Sequence, residues 1–178
     1  MWLCGTELTS RTLGILGFGN VGFGVARRMK PFGLKKIIYS DINPTAVADE
    51  MGLEYVDFQT LIKDSDFLVI CCSLNGATSG LFNKDVFKKM KSSAILVNTS
   101  RGQIVNTEDL TEALRTGEIE SVGLDVTHPE PLPADHPLVK MDNCVILPHL
   151  GTNGSETRLL MAVDTARNVI AALMFSVE

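Results

Sequence analysis

Short runs of apolar residues alternate along the chain with stretches in which apolar and polar residues recur at helical spacing. The apolar runs predict seven strands, over residues 13–18, 36–39, 54–56, 67–72, 94–97, 122–126 and 144–147. These runs are continuous rather than alternating, which indicates strands buried on both faces. The pattern therefore predicts a parallel sheet that is covered by helices.

Between and after these strands, the helical pattern is continuous enough to predict six helices. They are expected over residues 21–29, from about Pro44, over 58–63, 83–90, 106–114, and from about 155 to 174. Asn106 is a good N-cap for the fifth of them, and Gly117 is a typical helix stop. Regular alternation of strand and helix predicts an α/β fold with a doubly wound, Rossmann-like parallel sheet and helices on both faces.

Composition narrows the class of protein. The 178 residues are 45% hydrophobic and 21% charged, which fits one globular domain. The net charge of −5 gives a nucleic-acid partner no electrostatic support. We see no apolar run of the ~20 residues that a membrane span needs, and no signal peptide. Of the four cysteines, Cys71 and Cys72 are adjacent and none has zinc-site spacing, so we expect a reduced, cytoplasmic protein without a structural metal.

A glycine-rich turn directly follows the first predicted strand, with the sequence Gly17-Phe18-Gly19-Asn20-Val21-Gly22. Gly17 permits a tight turn, Gly19 lets a pyrophosphate approach the backbone, and Gly22 lets the helix and strand pack closely. The free N–H groups at the start of the helix, at Asn20 and Val21, would then face the phosphates. Glycine-rich turns also occur for structural reasons alone, but the position between a strand and a helix favours dinucleotide binding.

Asp41 closes the second predicted strand, about 20 positions after the turn, where an acidic residue can accept hydrogen bonds from adenosine ribose hydroxyls. A carboxylate there would repel the 2′-phosphate of NADP, and no arginine follows it, so NAD(H) is the expected cofactor. In the alternative interpretation, Asp41 only caps the helix that begins near Pro44. The glycine turn and Asp41 together predict a dinucleotide-binding domain over residues 11–178, which includes the C-terminal helix. Residues 1–10 are expected to form a lead-in segment before it.

Polar side chains that suit acid reduction follow the later strands. Arg101 has the fork geometry to hold a carboxylate, and His149 can exchange a proton near neutral pH. Asp125 could bind the nicotinamide carboxamide, and Glu130 could pair with His149 and stabilise its imidazolium form. Because ligands bind outside the carboxyl ends of parallel strands, this set suits reduction of a 2-keto acid by NADH. Taken singly, each residue could equally be an ordinary surface, loop or capping group.

At these residues the sequence resembles the D-2-hydroxyacid dehydrogenase family, and most closely its glyoxylate/hydroxypyruvate reductase branch. The matching segments are Leu13-Gly14-Ile15-Leu16-Gly17-Phe18-Gly19, Asn98-Thr99-Ser100-Arg101-Gly102, Gly123-Leu124-Asp125-Val126, Pro129-Glu130-Pro131-Leu132-Pro133 and Pro148-His149-Leu150-Gly151. Trp2-Leu3-Cys4-Gly5 and Lys30-Pro31-Phe32-Gly33 also resemble that branch. The resemblance extends over nearly the whole chain.

The resemblance implies roles for individual residues. The family's catalytic positions fall on Arg101, Glu130 and His149, and its nicotinamide-contacting aspartate falls on Asp125. The segments that line the family's cofactor cleft include Ser73, Leu74 and Thr99, beside the glycine turn. The resemblance also implies a homodimer, and it keeps NADP(H) open, because animal reductases of this branch usually favour NADPH and carry an arginine where this chain has Ile42.

Family members are longer, and their substrate domain comes from a segment before this region and from a returning C-terminal helix. Because the 178 residues lack that substrate domain, we expect the chain by itself to bind cofactor but to turn over poorly. Two functions are open at this point. One is hydride transfer between NAD(P)(H) and a small 2-keto or 2-hydroxy acid, such as glyoxylate or hydroxypyruvate. The other is a catalytically incompetent module for dinucleotide sensing or protein interaction, similar to co-repressors related to these dehydrogenases.

Overall fold

A computed structural model describes residues 5–175. Seven parallel strands form one sheet in the order β3-β2-β1-β4-β5-β6-β7. The strands are β1 (Thr12–Leu16), β2 (Lys36–Ser40), β3 (Glu54–Tyr55), β4 (Phe67–Ile70), β5 (Ile95–Asn98), β6 (Ser121–Leu124) and β7 (Cys144–Ile146). Each predicted strand coincides with an observed one, so the predicted parallel, doubly wound sheet is confirmed.

The helices follow the predicted alternation, and α4 is shorter than predicted. They are α1 (Asn20–Met29), α2 (Ala46–Glu50), α3 (Phe58–Asp64), α4 (Lys84–Phe87), α5 (Thr107–Thr116) and α6 (Ser155–Phe175). The helix expected from about Pro44 begins at Ala46, after the Thr45 side chain, which caps it. The predicted helix over 83–90 is too long. After Phe87 the amides of Lys89 and Met90 bond three residues back, so the chain tightens into turns.

The caps predicted for α5 are confirmed. The Asn106 side chain accepts a hydrogen bond from the Asp109 amide, and Gly117 ends the helix in the left-handed conformation with φ 74°. Three short 3₁₀ turns, Lys30–Phe32, Gly102–Ile104 and Pro137–Lys140, were not predicted. Their hydrogen bonds are local and leave no apolar periodicity in the sequence.

Two hydrophobic clusters cover the two faces of the sheet. One contains Ile38, Leu68 and Leu96 together with side chains of α3, α4 and α5. The other contains Ile15 and Val69 together with side chains of α1 and α2. Successive strand residues point to opposite faces, so continuous apolar strands supply both clusters, and the prediction of helices on both faces is confirmed.

The chain forms two compact units, Met1–Leu147 and Pro148–Glu178. The first unit contains the whole sheet, and the second contains α6. The division into a lead-in segment, 1–10, and a domain, 11–178, stays a prediction, and residues 1–4 and 176–178 of it lie outside the described part of the chain. Within that part, none of the helices is both long and apolar enough to cross a membrane.

The order of the strands reverses at β1. This strand pairs with β2 on one side and with β4 on the other, so the chain leaves the carboxyl ends of β1 and β4 in opposite directions. A crevice therefore opens between the two connections at the carboxyl edge of the sheet. In doubly wound sheets this crevice is where ligands bind.

Asp66 joins the starts of the two central strands. Its carboxylate accepts hydrogen bonds from the Thr12 amide at 2.8 Å and from the Lys91 ammonium at 2.8 Å, and its side chain is 13% exposed. Burial by itself would raise the pKa of Asp66, but the hydrogen bonds from Lys91 and Thr12 outweigh it and hold the pKa below its ordinary value of 3.8. The ionised carboxylate therefore stabilises the fold.

Replacing Asp66 with Asn should lower the free energy of unfolding by about 1–3 kcal/mol near neutral pH, because a charged acceptor is lost. The folded-state pKa lies below the unfolded value of 3.8, so this stabilisation is present above that value and disappears as the pH falls through the folded-state pKa. Urea denaturation at about pH 7 and about pH 3 should show a difference between parent and variant that shrinks in acid.

The matched control is Glu112→Gln, which removes a carboxylate whose partner, Arg115, lies on an exposed helix face. Exposed pairs of this kind contribute little, so the urea midpoint should hardly move. An Asp66→Asn protein as stable as the parent at both pH values would contradict the role of Asp66.

Candidate functional site

The glycine turn after β1 lies against the end of β4. Gly17 has φ +89°, and a Cβ atom placed on it would lie 2.5 Å from both the Cα and the N atoms of Cys72. Its amide donates a hydrogen bond to the Ser40 carbonyl at 2.8 Å, which ties the turn to the end of β2. Only glycine fits this position, because any side chain would meet backbone atoms that cannot move away.

The start of α1 is bare on its outer side. Gly19 is the N-cap and supplies no side-chain cap, and a Cβ atom placed on it would meet nothing within 4 Å. At Gly22, by contrast, a Cβ atom would lie 2.2 Å from the Gly17 carbonyl oxygen. The helix thus begins close to the turn, and the N–H groups of its first turn, including those of Asn20 and Val21, form a site suited to an anion.

Asp41 is held by backbone amides. Its two carboxylate oxygens accept hydrogen bonds from the Phe18 amide and the Ile42 amide, each at 2.6 Å. Because Thr45 caps α2, the alternative in which Asp41 caps that helix is wrong. The carboxylate instead joins the middle of the glycine turn to the end of β2.

A cleft of about 520 Å³ opens beside this carboxylate, and we call it the Asp41 cleft. Gly17, Gly19 and Ser40 belong to its lining, and Phe58 and Leu81 contribute apolar side chains to it. Its remaining lining residues are Leu16, Asp41, Ile42, Cys71, Cys72, Ser73, Asn75 and Thr78. A lining that combines polar and apolar groups suits a ligand with a flat apolar ring and a hydroxylated sugar.

A second groove of about 470 Å³ continues from this cleft, and we call it the Arg101 groove. It is lined by Val21, Cys71, Cys72, Ser73, Leu74, Thr99, Ser100 and Arg101. Cys71, Cys72 and Ser73 line both spaces, so one path runs along the carboxyl edge of the sheet from β2 to β5. Of the predicted cofactor residues, Ser73, Leu74 and Thr99 lie along this path.

The two cysteines in the middle of the path are neutral thiols near pH 7. Burial raises the pKa of Cys71 to about 11, against a smaller opposite effect of a hydrogen bond with Thr99, and burial also raises the pKa of Cys72 to about 11. Cys71 and Cys72 pack against clusters on opposite faces of the sheet. Within residues 5–175 no group of three His, Cys, Asp or Glu side chains has an arrangement that could hold a metal ion.

Arg101 lies in a turn that is fastened to β4. The Ser100 hydroxyl donates a hydrogen bond to the Cys72 carbonyl, and the Thr99 hydroxyl donates one to the Ile70 carbonyl at 3.4 Å. The guanidinium of Arg101 is exposed and donates to the Ser100 carbonyl at 2.7 Å. Arg101 therefore stands on a fixed backbone and lines the groove with an exposed side chain.

Asp125 and Glu130 follow β6 and lie near the same turn. The Asp125 amide donates to the Asn98 carbonyl at 3.0 Å, and the Thr127 amide donates to a Glu130 carboxylate oxygen at 3.4 Å. Gly102 brings the two segments together, because a Cβ atom on it would lie 2.0 Å from the Thr127 carbonyl oxygen. The first unit therefore gathers Arg101, Asp125 and the loop of Glu130.

His149 belongs to the second unit, two residues after Leu147. Its backbone has φ 55°, in the left-handed region that few residues other than glycine adopt. Such conformations are concentrated at functional sites. Of the other histidines, His136 accepts a hydrogen bond from the Leu138 amide at 3.2 Å, and His128 is exposed.

Sequence reasoning missed several residues that build this site. Asn98, Ser100 and Gly102 received no role, although a polar residue at the end of an otherwise buried strand is a signal that could have drawn attention to Asn98. The lining role of Cys71 and Cys72 had no comparable signal, because an apolar strand end looks the same whether a ligand or a helix covers it.

Comparisons with known proteins agree with this geometry. Residues 1–151 match the family model described as D-isomer specific 2-hydroxyacid dehydrogenase, NAD binding domain. The glyoxylate reductase/hydroxypyruvate reductase of Homo sapiens is 49% identical over 174 residues, which are 97% of this chain and 53% of that protein. The glyoxylate reductase of Thermococcus litoralis is 44% identical over 94% of this chain and 50% of its own length. The chain thus spans about half the length of the curated relatives it matches.

Solved structures show the same fold. A glyoxylate reductase from Paecilomyes thermophila superposes with a TM-score of 0.91 at 35% identity, over 97% of this chain and 52% of that one. The NAD-complexed form of a D-isomer specific 2-hydroxyacid dehydrogenase from Lactobacillus delbrueckii ssp. bulgaricus gives a TM-score of 0.83 at 31% identity, over 95% and 55% of the two chains. These likenesses favour the oxidoreductase hypothesis over a non-catalytic module.

Substitution by alanine should destabilise the protein much more at Gly17 than at Gly19. Gly17→Ala should lower the free energy of unfolding by at least about 2 kcal/mol, because the new methyl group would clash with the Cys72 backbone and alanine is strained at a positive φ. Gly19→Ala should cost no more than about 1 kcal/mol, because its Cβ enters open space. Thermal and urea unfolding of the two variants measure both effects, and equal losses would contradict the described turn.

Proposed function

The chain belongs to the D-isomer specific 2-hydroxyacid dehydrogenase family, and from that membership we propose that the protein reduces a small 2-keto acid with a nicotinamide dinucleotide, glyoxylate and hydroxypyruvate being the preferred acids. The observation that carries the proposal is the bare glycine turn at the switch point of the sheet, which opens into one path that passes a carboxylate and ends at an arginine. That order of charges matches a dinucleotide followed by an acid.

The residues present fit such a cofactor. At Gly19 the space that a Cβ would occupy is open, and the first-turn N–H groups of α1 have no side-chain cap, so a pyrophosphate has both room and donors there. Asp41 would accept the hydroxyls of the adenosine ribose, and Phe58 and Leu81 would contact the adenine. Ser73, Leu74, Thr99 and Asp125 would then line the nicotinamide half. When bound, a reduced nicotinamide supplies a hydride for the carbonyl carbon of the acid.

The chain's own residues would perform the remaining steps. Arg101 would hold the substrate carboxylate through two parallel N–H donors. His149 would donate a proton to the carbonyl oxygen as it becomes an alkoxide, and Glu130 would stabilise the imidazolium that precedes this transfer. The support for these roles is the exposed side chain of Arg101 in the lining of the groove, the left-handed backbone of His149 and the family motifs around all three residues.

Asp41 also supports a preference for NAD(H). Two backbone amides fix its carboxylate, so the negative charge cannot easily turn away from a 2′-phosphate. The next residue, Ile42, is 87% exposed and offers no positive charge to such a phosphate. Repulsion in a partly enclosed cleft is weakly screened, and NADPH should therefore bind less tightly than NADH.

The first test of this function is a titration of the parent protein with NADH and with NADPH. NADH should bind at least about tenfold more tightly, equivalent to about 1.4 kcal/mol. In Asp41→Asn the amide oxygen can still accept from the Phe18 amide while the charge is gone, so the ratio of the two affinities should fall toward one. Equal or tighter binding of NADPH by the parent would overturn the NAD(H) preference, and no binding of either cofactor would overturn the proposed function.

A second test concerns the proton donor. In a full-length protein that also carries the substrate domain, His149→Ala should lower the rate of NADH oxidation by glyoxylate and by hydroxypyruvate at least about a hundredfold, because a positioned acid contributes about that much. The affinity for NADH should stay near that of the parent. His128→Ala is the matched control, because that histidine is exposed and the substitution keeps its backbone carbonyl, which accepts a hydrogen bond from the Thr107 hydroxyl. Equal activity of the His149→Ala and His128→Ala proteins would contradict the role of His149.

Family resemblance further leads us to propose a cytoplasmic homodimer. Light scattering of the purified protein measures its mass in solution directly. A mass of one chain over a wide range of protein concentration would contradict the dimer.

A further inference from the structure

Asn98 is a polar residue at the end of β5 whose exposed fraction is 0%. Its side-chain NH₂ donates to the Arg101 carbonyl at 2.9 Å, and its side-chain oxygen accepts from the Ser100 amide at 3.0 Å. One buried amide thus bonds a donor and an acceptor of the turn that carries the guanidinium. An asparagine is required for this pair of bonds, since a carboxylate of the same shape has no donor.

The backbone of Asn98 links the same turn to β6. Its carbonyl accepts the hydrogen bond from the Asp125 amide at 3.0 Å, directly after the last β5–β6 pair, Asn98 with Leu124. The side chain of Asn98 therefore bonds the backbone of Arg101, and its main chain bonds the backbone of Asp125. The residues proposed for the acid and for the nicotinamide amide are fixed with respect to each other through this one position.

Further contacts restrict the position of the turn over residues 99–102. The Ser100 hydroxyl bonds the Cys72 carbonyl, and Gly102 lies in close contact with the Thr127 carbonyl. These contacts hold the two ends of the turn against β4 and against the loop of Glu130. The Asn98 side chain bonds the backbone between these two ends, at Ser100 and Arg101, and so orients the residue that carries the guanidinium.

We propose that Asn98 is a positioning residue for acid binding, which shapes the turn over residues 99–102 so that the Arg101 guanidinium meets the substrate carboxylate. This inference rests on the proposed function, in which Arg101 holds that carboxylate. Asn98 itself touches neither ligand, because it is buried beneath the turn. Its loss should therefore weaken the binding of acid and leave the binding of dinucleotide, which depends on the turn over residues 17–22 and on Asp41, nearly unchanged.

The expected size of the effect follows from the geometry. In Asn98→Ala the Arg101 carbonyl and the Ser100 amide lose their buried partner, and the turn relaxes to find others. A displacement of about 1 Å at a residue that orients a substrate can cost up to about a hundredfold, so we expect acid affinity to fall at least about tenfold. Asn98→Ser can replace one of the two hydrogen bonds and should give an intermediate loss.

The experiment measures two dissociation constants for each protein by isothermal titration calorimetry: that of NADH, and that of oxalate for the NADH-loaded protein. Oxalate serves as the probe because one of its two carboxylates matches that of a 2-keto acid, an oxygen of the other takes the place of the keto oxygen, and it is not reduced. The matched control is Asn143→Ala, because the Asn143 side chain also bonds two backbone groups, the carbonyls of Leu114 and Glu120. Circular dichroism of every variant measures folding.

Asn98→Ala should bind oxalate at least about tenfold more weakly than the parent and NADH within about twofold of it, and Asn143→Ala should match the parent for both. If Asn98→Ala does not fold, the same split between oxalate and NADH is expected in Asn98→Ser. Unchanged oxalate affinity, or equal losses for oxalate and NADH, would overturn the inference while leaving the proposed function intact. A parent that binds NADH but not oxalate would also overturn it, and a parent that binds no NADH would overturn the proposed function and the inference with it.

Discussion

The near-contact between the glycine turn and the end of β4 is the constraint on which the rest of the site depends. Parallel strands β1 and β4 are neighbours, so the chain leaving β1 must pass over the backbone of Cys72, and at Gly17 no room for a side chain is left. This close passage brings the start of α1 to the switch point of the sheet with its N–H groups uncapped. With a bulkier turn the helix would begin farther out, and the amides would no longer meet at the crevice.

The same passage determines how charge is distributed along the groove. Asp41 bonds the Phe18 amide and therefore stands next to the turn, while Arg101 stands beyond Cys72 and Ser73 at the other end. Asp41 and Arg101, which carry opposite charges, are thus separated by the uncharged, protonated thiols of Cys71 and Cys72. This separation of charge is the one that the proposed binding of a dinucleotide and of a small acid requires.

Backbone hydrogen bonds hold the polar side chains of the first unit, and this explains how a site at the edge of a sheet stays ordered. The side chains of Asp66, Asp41 and Asn98 each bond to main-chain groups rather than only to other side chains. Main-chain atoms move little relative to the sheet, so a side chain bonded to them keeps its direction without help from a ligand.

The sequence by itself determined the strands, the helices of the sheet's two faces, the glycine turn and the α5 caps, because each is written in neighbouring residues: continuous apolar runs, glycines and an asparagine before a helix. It also pointed to Arg101, Asp125, Glu130 and His149 as candidates through motifs. Only the tertiary structure decided that Thr45 rather than Asp41 caps α2, that Asp41 bonds the turn, that α4 ends at Phe87, and that Asn98 joins the segments of Arg101 and Asp125. The bond from Asp41 to the turn and the link from Asn98 to Asp125 depend on which strand lies beside which. The order that places β1 between β2 and β4 arises from packing between distant segments, which no local pattern of residues records.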